Sequence, residues 1–289
     1  MYCDFFGFSE KPFTITPNPH FVFLSTTHRE TFARLLYGVD SHAGFIALVG
    51  EVGTGKTTML RTLLGQLDPE KYTSALIFNP CMSGEQLLAA ICREYGIETP
   101  PAEQNRAGYL HQLNSYLIER NGEGQTVVLV IDEAQNLEPE VLEQVRMISN
   151  LETERDKLIQ IILAGQPELN GILRRHDLRQ LNQRITVRCR LTAMSFDDTE
   201  QYINHRLHIS GSRIPGIFTQ GAMRRIYRFS NGIPRLINVA CEQALVMAWT
   251  RDQVHVTPGI AGEVIAELKG DEHRSRFWSR LLNHFFSGK

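Results

Sequence analysis

Gly50-Glu51-Val52-Gly53-Thr54-Gly55-Lys56-Thr57 fits the spacing GxxxxGK[ST], with Thr58 directly after it. The run follows a short apolar stretch, Phe45–Val49, and opens a helical one, Lys56–Leu67, so it reads as a strand-to-helix loop. Gly50, Gly53 and Gly55 let the backbone turn tightly and aim N–H groups at phosphate oxygens. Glu51, Val52, Thr54 and Thr58 complete the cradle, and the helix N-terminus adds the positive end of its dipole. Lys56 offers a mobile cation to the β- and γ-phosphates, and the Thr57 hydroxyl offers a ligand to Mg2+. The implied ligand is ATP with magnesium.

A second acidic pair completes that chemistry. The run Val127-Val128-Leu129-Val130-Ile131 is apolar throughout and delivers Asp132 and Glu133 at its end. Asp132 is placed to bind a magnesium-bound water, and Glu133 to take the proton from an attacking water. Phosphoryl transfer asks little more of a protein than positioning and charge neutralisation. One further strand, Thr73–Phe78, fits between the two motifs. That insertion is expected of the P-loop class in which a glutamate polarises water.

Three more positions stand at chain locations where a nucleotide could be sensed. Gln166 is the first polar side chain after the strand-like Leu158–Ala164; it either senses water or γ-phosphate or caps the next helix. Arg184, just before Ile185–Leu191, either reaches the γ-phosphate of a neighbouring subunit or belongs to a solvated basic face with Arg174, Arg175, Arg179, Arg188 and Arg190. Arg179 is the second choice for the reaching arginine. Arg235, in Asn231-Gly232-Ile233-Pro234-Arg235, either folds back onto the phosphates or sits at an ordinary helix start with proline in its first turn.

These residues need elements to hold them. Strands alternating with helices up to Leu191 predict an α/β fold with a parallel sheet. Predicted helices lie near 27–41, 84–95, 106–120 and 139–151, with a short one after Gln166. After Leu191 the strand signal stops, and helices are expected at Phe196–Ile209, Thr219–Phe229, Pro234–Thr250 and Thr257–Leu268. Ser195 is the expected N-cap of the first, with Asp198 forming a partial capping box. The expected division is a nucleotide-binding domain over 1–191, a helical lid over 192–270 and an amphipathic tail over 271–289. Residues 1–25 contain Pro12, Pro17 and Pro19 and are expected to run as an extended segment on the body. In the tail, Phe277, Trp278, Leu281, Leu282, Phe285 and Phe286 share one helix face. That face is expected to dock on the lid, on a partner, or peripherally on an anionic membrane surface.

Bulk composition removes several function classes. The chain has 289 residues, 42% hydrophobic and 21% charged, with a formal net charge of −2. That suits one large or two modest domains and does not mark nucleic acid as the main partner. Cys3, Cys81, Cys92, Cys189 and Cys241 stand singly, which predicts reduced thiols and a cytoplasmic protein without a disulfide framework or zinc site. The N-terminus lacks the features of a secretory signal, and no apolar stretch approaches the roughly 20 residues that span a bilayer.

With these elements in order, the chain resembles the AAA+ ATPases of the ExeA/GspA group, associated with bacterial type II secretion, and related short ATPases of MSHA-pilus and exosortase-type export loci. The residues that carry this are FFGFSEKPFTITPNPHFVFLS, His28 and LLYG, GEVGTGKTT, VIDEAQNL, ILAGQPEL, LNQRI and NGIPRLIN, over about 2–268. The resemblance implies a lid sensor at Arg235, an arginine finger best matched by Arg184, and adenine covered by residues around His28–Gly38. It also implies self-association as a ring or dimer and a secretion or pilus assembly partner. Longer members continue into a membrane span and a peptidoglycan-binding domain, and this chain stops at Lys289, so peptidoglycan binding is not carried over. The rival readings are a DNA-acting AAA+ helper such as a transposition ATPase, with Arg224, Arg225 and Arg228 on one helix, and a nucleotide-bound scaffold with little turnover.

Overall fold

Val127 to Ile131 are all fully buried, and a strand with no polar side chain on either face must lie inside a covered parallel sheet. The computed structural model describes residues 2–14, 19–78, 81–151 and 157–270. In chain order its helices and strands are α1 (Tyr2–Phe6), α2 (Thr26–Asp40), β1 (Phe45–Gly50), α3 (Lys56–Gln66), β2 (Tyr72–Ile77), α4 (Gly84–Glu94) and α5 (Arg106–Gly122). Then come β3 (Thr126–Ile131), α6 (Pro139–Ile148), β4 (Ile159–Gly165), α7 (Glu168–Leu173), α8 (Arg179–Arg184) and β5 (Ile185–Leu191). Four helices follow: α9 (Phe196–Ile209), α10 (Gln220–Ser230), α11 (Pro234–Trp249) and α12 (Pro258–Lys269).

The sheet is parallel throughout, in the order β2-β3-β4-β1-β5. Central β1 and β4 are buried along their whole length, whereas edge strand β5 alternates buried and exposed residues. Register pairs Ile131 with Leu163 and Val49 with Gly165, so the ends of β1, β3 and β4 reach the same edge. Ligands of open α/β sheets bind outside that carboxyl edge. Helix α2 lies close on the sheet at Gly38, where a Cβ would come within 2.8 Å of the Ile46 side chain. The core of this unit runs from Phe45 and Ala47 through Leu129 and Ile131 to Leu142, Leu163 and Leu181.

Among the described residues the chain forms two compact units. One comprises His28–Val52 and Lys56–Thr192; the other comprises the chain up to Thr27, Gly53–Gly55 and the residues from Ala193 onward. This differs from the expected 1–191 division, because the N-terminal aromatic residues pack elsewhere. Tyr2, Phe6, Phe8 and Phe13 share one buried cluster with Tyr202, Leu207, Ile226, Ile237 and Leu245 of the helical unit. The expected extended segment is also corrected: Tyr2–Phe6 is helical and Pro19–Phe21 forms a single 3-10 turn. Prolines at 12, 17 and 19 spare residues 2–6, where nothing opposes a helix. Phe6 stacks on Phe8 at 5.5 Å, and the Tyr2 hydroxyl bonds both carboxylate oxygens of Glu242 at 2.8 Å.

That packing is large enough to measure. Phe6→Ala empties a fully buried site and is expected to cost about 3–5 kcal/mol. The unfolding transition of the helical unit in urea should move to lower denaturant; an unchanged midpoint would show that Phe6 is not part of that core.

Local signals elsewhere act as expected from their chemistry. Ser195 Oγ accepts the Asp198 N–H at 3.1 Å and Asp198 Oδ2 accepts the Ser195 N–H at 3.3 Å, a complete capping box rather than a partial one. The tail over 271–289, including the apolar positions 277–286, lies outside the described residues. Among the described residues, no helix is long and apolar enough to cross a membrane.

Candidate functional site

The loop between β1 and α3 turns through two left-handed glycines, Gly53 at φ +80° and Gly55 at φ +101°. No β-carbon is tolerated cheaply at either backbone conformation, which explains the residue type. At Gly53 there is a second reason: an added Cβ would lie 2.8 Å from Arg235 Cβ. The Arg235 N–H donates to the Gly53 carbonyl at 3.2 Å, in the first turn of α11, and the Arg235 side chain is exposed. Thr54 is buried beneath the loop; Glu51 and Val52 are exposed, and Thr58 is half-buried.

Lys56 is only 5% exposed, and its ammonium curls back over its own loop. Nζ donates to the Gly50 carbonyl at 2.7 Å and to the Glu51 carbonyl at 3.1 Å. Burial pushes this amine below the ordinary lysine value, while the nearby charges of Glu133 and Asp132 oppose that shift. Thr57 Oγ1 donates to Asp132 Oδ2 at 2.5 Å, a charge-assisted bond across from α3 to the end of β3. A hydroxyl and a carboxylate oxygen side by side form a hard-oxygen pair of the kind Mg2+ takes. The two-glycine turn, the cation and this oxygen pair fit a magnesium-bound phosphate chain.

Glu133 follows Asp132 in an unusual backbone state, left-handed at φ 54°, ψ 38°. Such a conformation costs a residue with a Cβ about 1–2 kcal/mol. It is held there by the Asp132 side chain, whose Oδ1 accepts the Glu133 N–H at 2.9 Å, and by the Asn136 N–H, which donates to the Glu133 carbonyl at 2.9 Å. The carboxylate is gripped from two sides: Gln135 Nε2 reaches its Oε2 at 2.6 Å and Gln166 Nε2 at 3.0 Å. Burial pushes the Glu133 carboxyl up; the bonds from Gln166 and Gln135 and the Lys56 charge outweigh it and leave the carboxyl below the usual glutamate range.

The structure therefore brings Lys56, Thr57, Asp132, Glu133 and Gln166 to one edge of the sheet. It does not bring the basic residues before β5 into that group. Arg184 is half-buried and donates to Ser149 Oγ at 2.8 Å, at the C-terminal end of α6. Arg175 pairs with Asp177 and Arg188 with Asn182, whereas Arg179 is exposed at the start of α8 with no bonded partner among the described residues. His28 and Gly38 are buried in α2. Gln135, which lies within VIDEAQNL but has no role assigned by its sequence position, also reaches Glu133; its place two residues after Glu133 and just past a strand end is its signal in the sequence.

Comparison with known proteins bears on the fold and the family. The profile of the AAA domain family matches residues 39–173, the span that holds the loop, Asp132, Glu133 and Gln166. General secretion pathway protein A of Aeromonas hydrophila is 43% identical over 98% of this chain and 51% of its own length. The chain thus spans about half of that curated relative. Among solved structures, the ORC2 protein of Aeropyrum pernix aligns with a TM-score of 0.68 at 19% identity, covering 90% of this chain and 72% of that one. Cdc6p of Pyrobaculum aerophilum aligns at 0.69 and 19% identity, covering 88% and 69%. RuvB of Thermotoga maritima aligns at 0.58 and 17% identity, covering 86% and 73%. At such identities these neighbours speak for the fold alone. The chain carries an AAA domain on a P-loop parallel sheet, and over nearly its whole length it is similar to General secretion pathway protein A.

Proposed function

We propose that this chain binds ATP with magnesium and hydrolyses it, using turnover to drive or regulate assembly of a bacterial envelope secretion, pilus or export system on the cytoplasmic side of the membrane. The observation that carries the reading is the Glu133 carboxylate: its Oε2 is held by two amides while its Oε1 has no bond among the described residues, beside the Thr57–Asp132 oxygen pair. Glu133 is the general base for the attacking water. Lys56 steadies the β- and γ-phosphates, and Thr57 and Asp132 hold the magnesium, which neutralises charge as the phosphate bond breaks. Arg235 acts as the lid sensor, next to Gly53. The envelope process is supported by the relation to General secretion pathway protein A.

For the arginine acting in trans, the two candidates change rank. Arg184 is engaged with Ser149, so reaching out would break a bond within its own subunit. Arg179 is exposed and unengaged among the described residues, and we assign the role to it. Phosphate release should depend on magnesium, stop with EDTA, and rise per molecule with protein concentration. An Arg179→Ala chain mixed with a Glu133→Gln chain should recover hydrolysis, because each supplies what the other lacks; Arg184→Ala should keep its turnover unmixed. Recovery with Arg184→Ala alone would return the role to Arg184, and turnover independent of concentration with no recovery from either mixture would remove the shared site. Salt-sensitive DNA binding that stimulates turnover would instead favour a DNA-acting helper.

A further inference from the structure

Gln135 uses both ends of its amide. Its Oε1 accepts the Gln166 backbone N–H at 3.0 Å, and its Nε2 donates to Glu133 Oε2 at 2.6 Å. A backbone N–H can only donate, so the amide oxygen must face Gln166 and the NH2 must face Glu133. The orientation is fixed by chemistry, not chosen between two flips. The end of β4 makes room for it: a Cβ on Gly165 would stand 2.7 Å from Gln135 Oε1. The Gln166 side chain shares the same carboxylate oxygen at the longer distance of 3.0 Å.

We propose that Gln135 is the positioning residue that aims the Glu133 carboxylate, holding its Oε2 so that Oε1 meets the attacking water, while Gln166 is the exchangeable holder. Gln135 is anchored at its far end by a main-chain group and stays on Glu133. Among the described residues the Gln166 amide has no such anchor, so its NH2 can transfer to a γ-phosphate oxygen without releasing the base. This rests on the ATPase reading above.

The test compares wild type with Gln135→Met and Gln135→Glu. Methionine keeps the length and volume of the side chain but offers no N–H donor. Glutamate keeps the shape and can still accept the Gln166 N–H, but it presents a like charge to Glu133. Both variants are expected to bind a non-hydrolysable ATP analogue as wild type does, with KM within about twofold. Their kcat should fall about 10–100-fold, the usual loss when a supporting partner of a reacting group is removed. A residue that only fills space beside Gly165 would lose nothing in either variant. The proposal is overturned if Gln135→Met or Gln135→Glu turns over within twofold of wild type, or if kcat, analogue affinity and melting temperature fall together. A wild-type chain that hydrolyses no ATP removes the ATPase reading and this inference with it. Wild-type turnover, an inactive Glu133→Gln and fully active Gln135 variants would remove this inference alone.

Discussion

Glu133→Gln is expected to bind ATP as tightly as the unmodified chain and to lose hydrolysis by about 10²–10⁴-fold, the range that general base catalysis contributes. The amide has the length and shape of the carboxylate but cannot accept a proton from water. Lys56 and the Thr57–Asp132 pair do not depend on it, since Lys56 bonds Gly50 and Glu51 and Thr57 bonds Asp132 directly. Binding and chemistry should therefore separate cleanly in this variant. A fluorescent ATP analogue would read the affinity, and phosphate release the rate. Hydrolysis at the wild-type rate would remove Glu133 from the role of base.

Lys56→Ala should act on the other side of that division, at binding. Two charge-assisted hydrogen bonds to phosphate oxygens are worth about 1.5–3 kcal/mol each, so their loss weakens the nucleotide Kd by about 10²–10⁴-fold. The fold should not suffer, because the ammonium is buried against its own loop and burial already disfavours its charge. Circular dichroism and the melting temperature should stay at wild-type values while the nucleotide-dependent rise in melting temperature disappears. A variant that still gains stability from ATP would show that the loop backbone alone holds the phosphates. Together the two substitutions dissect the site: one is expected to abolish turnover with binding intact, the other to abolish binding with the fold intact.

Much of this molecule follows from short-range chemistry. β3 adds only Thr126 to the apolar run Val127–Ile131, β5 occupies the expected Ile185–Leu191, and α9 spans Phe196–Ile209 as its cap predicts. A run of β-branched and aliphatic side chains has few alternatives to a buried strand, and a serine followed three residues later by an acid specifies where a helix starts. The phosphate loop is legible for the same reason. Its glycines answer a demand of the local backbone, and its lysine and threonine sit at fixed offsets from them.

What the linear chain leaves open are contacts between residues far apart in it. Tyr2 and Glu242 meet, and Phe6 enters a cluster with Ile237 and Leu245, so the N-terminal aromatic residues stabilise the helical unit and not the sheet that follows them in sequence. Apolar side chains carry no address; the partner surface decides where they are buried. Arg184 looked available because it precedes an edge strand, yet Ser149, 35 positions away, holds its guanidinium. Gln135 and Gln166 meet over Glu133 only because β3 and β4 are neighbours in the sheet and end at the same edge. Residue types and spacing determined which groups can do phosphate chemistry, since that requirement is local. Which oxygen of Glu133 is held, which of Arg179 and Arg184 is engaged and which core receives the N-terminus were decided by tertiary structure, because directional bonds and burial depend on geometry that no sequence interval encodes.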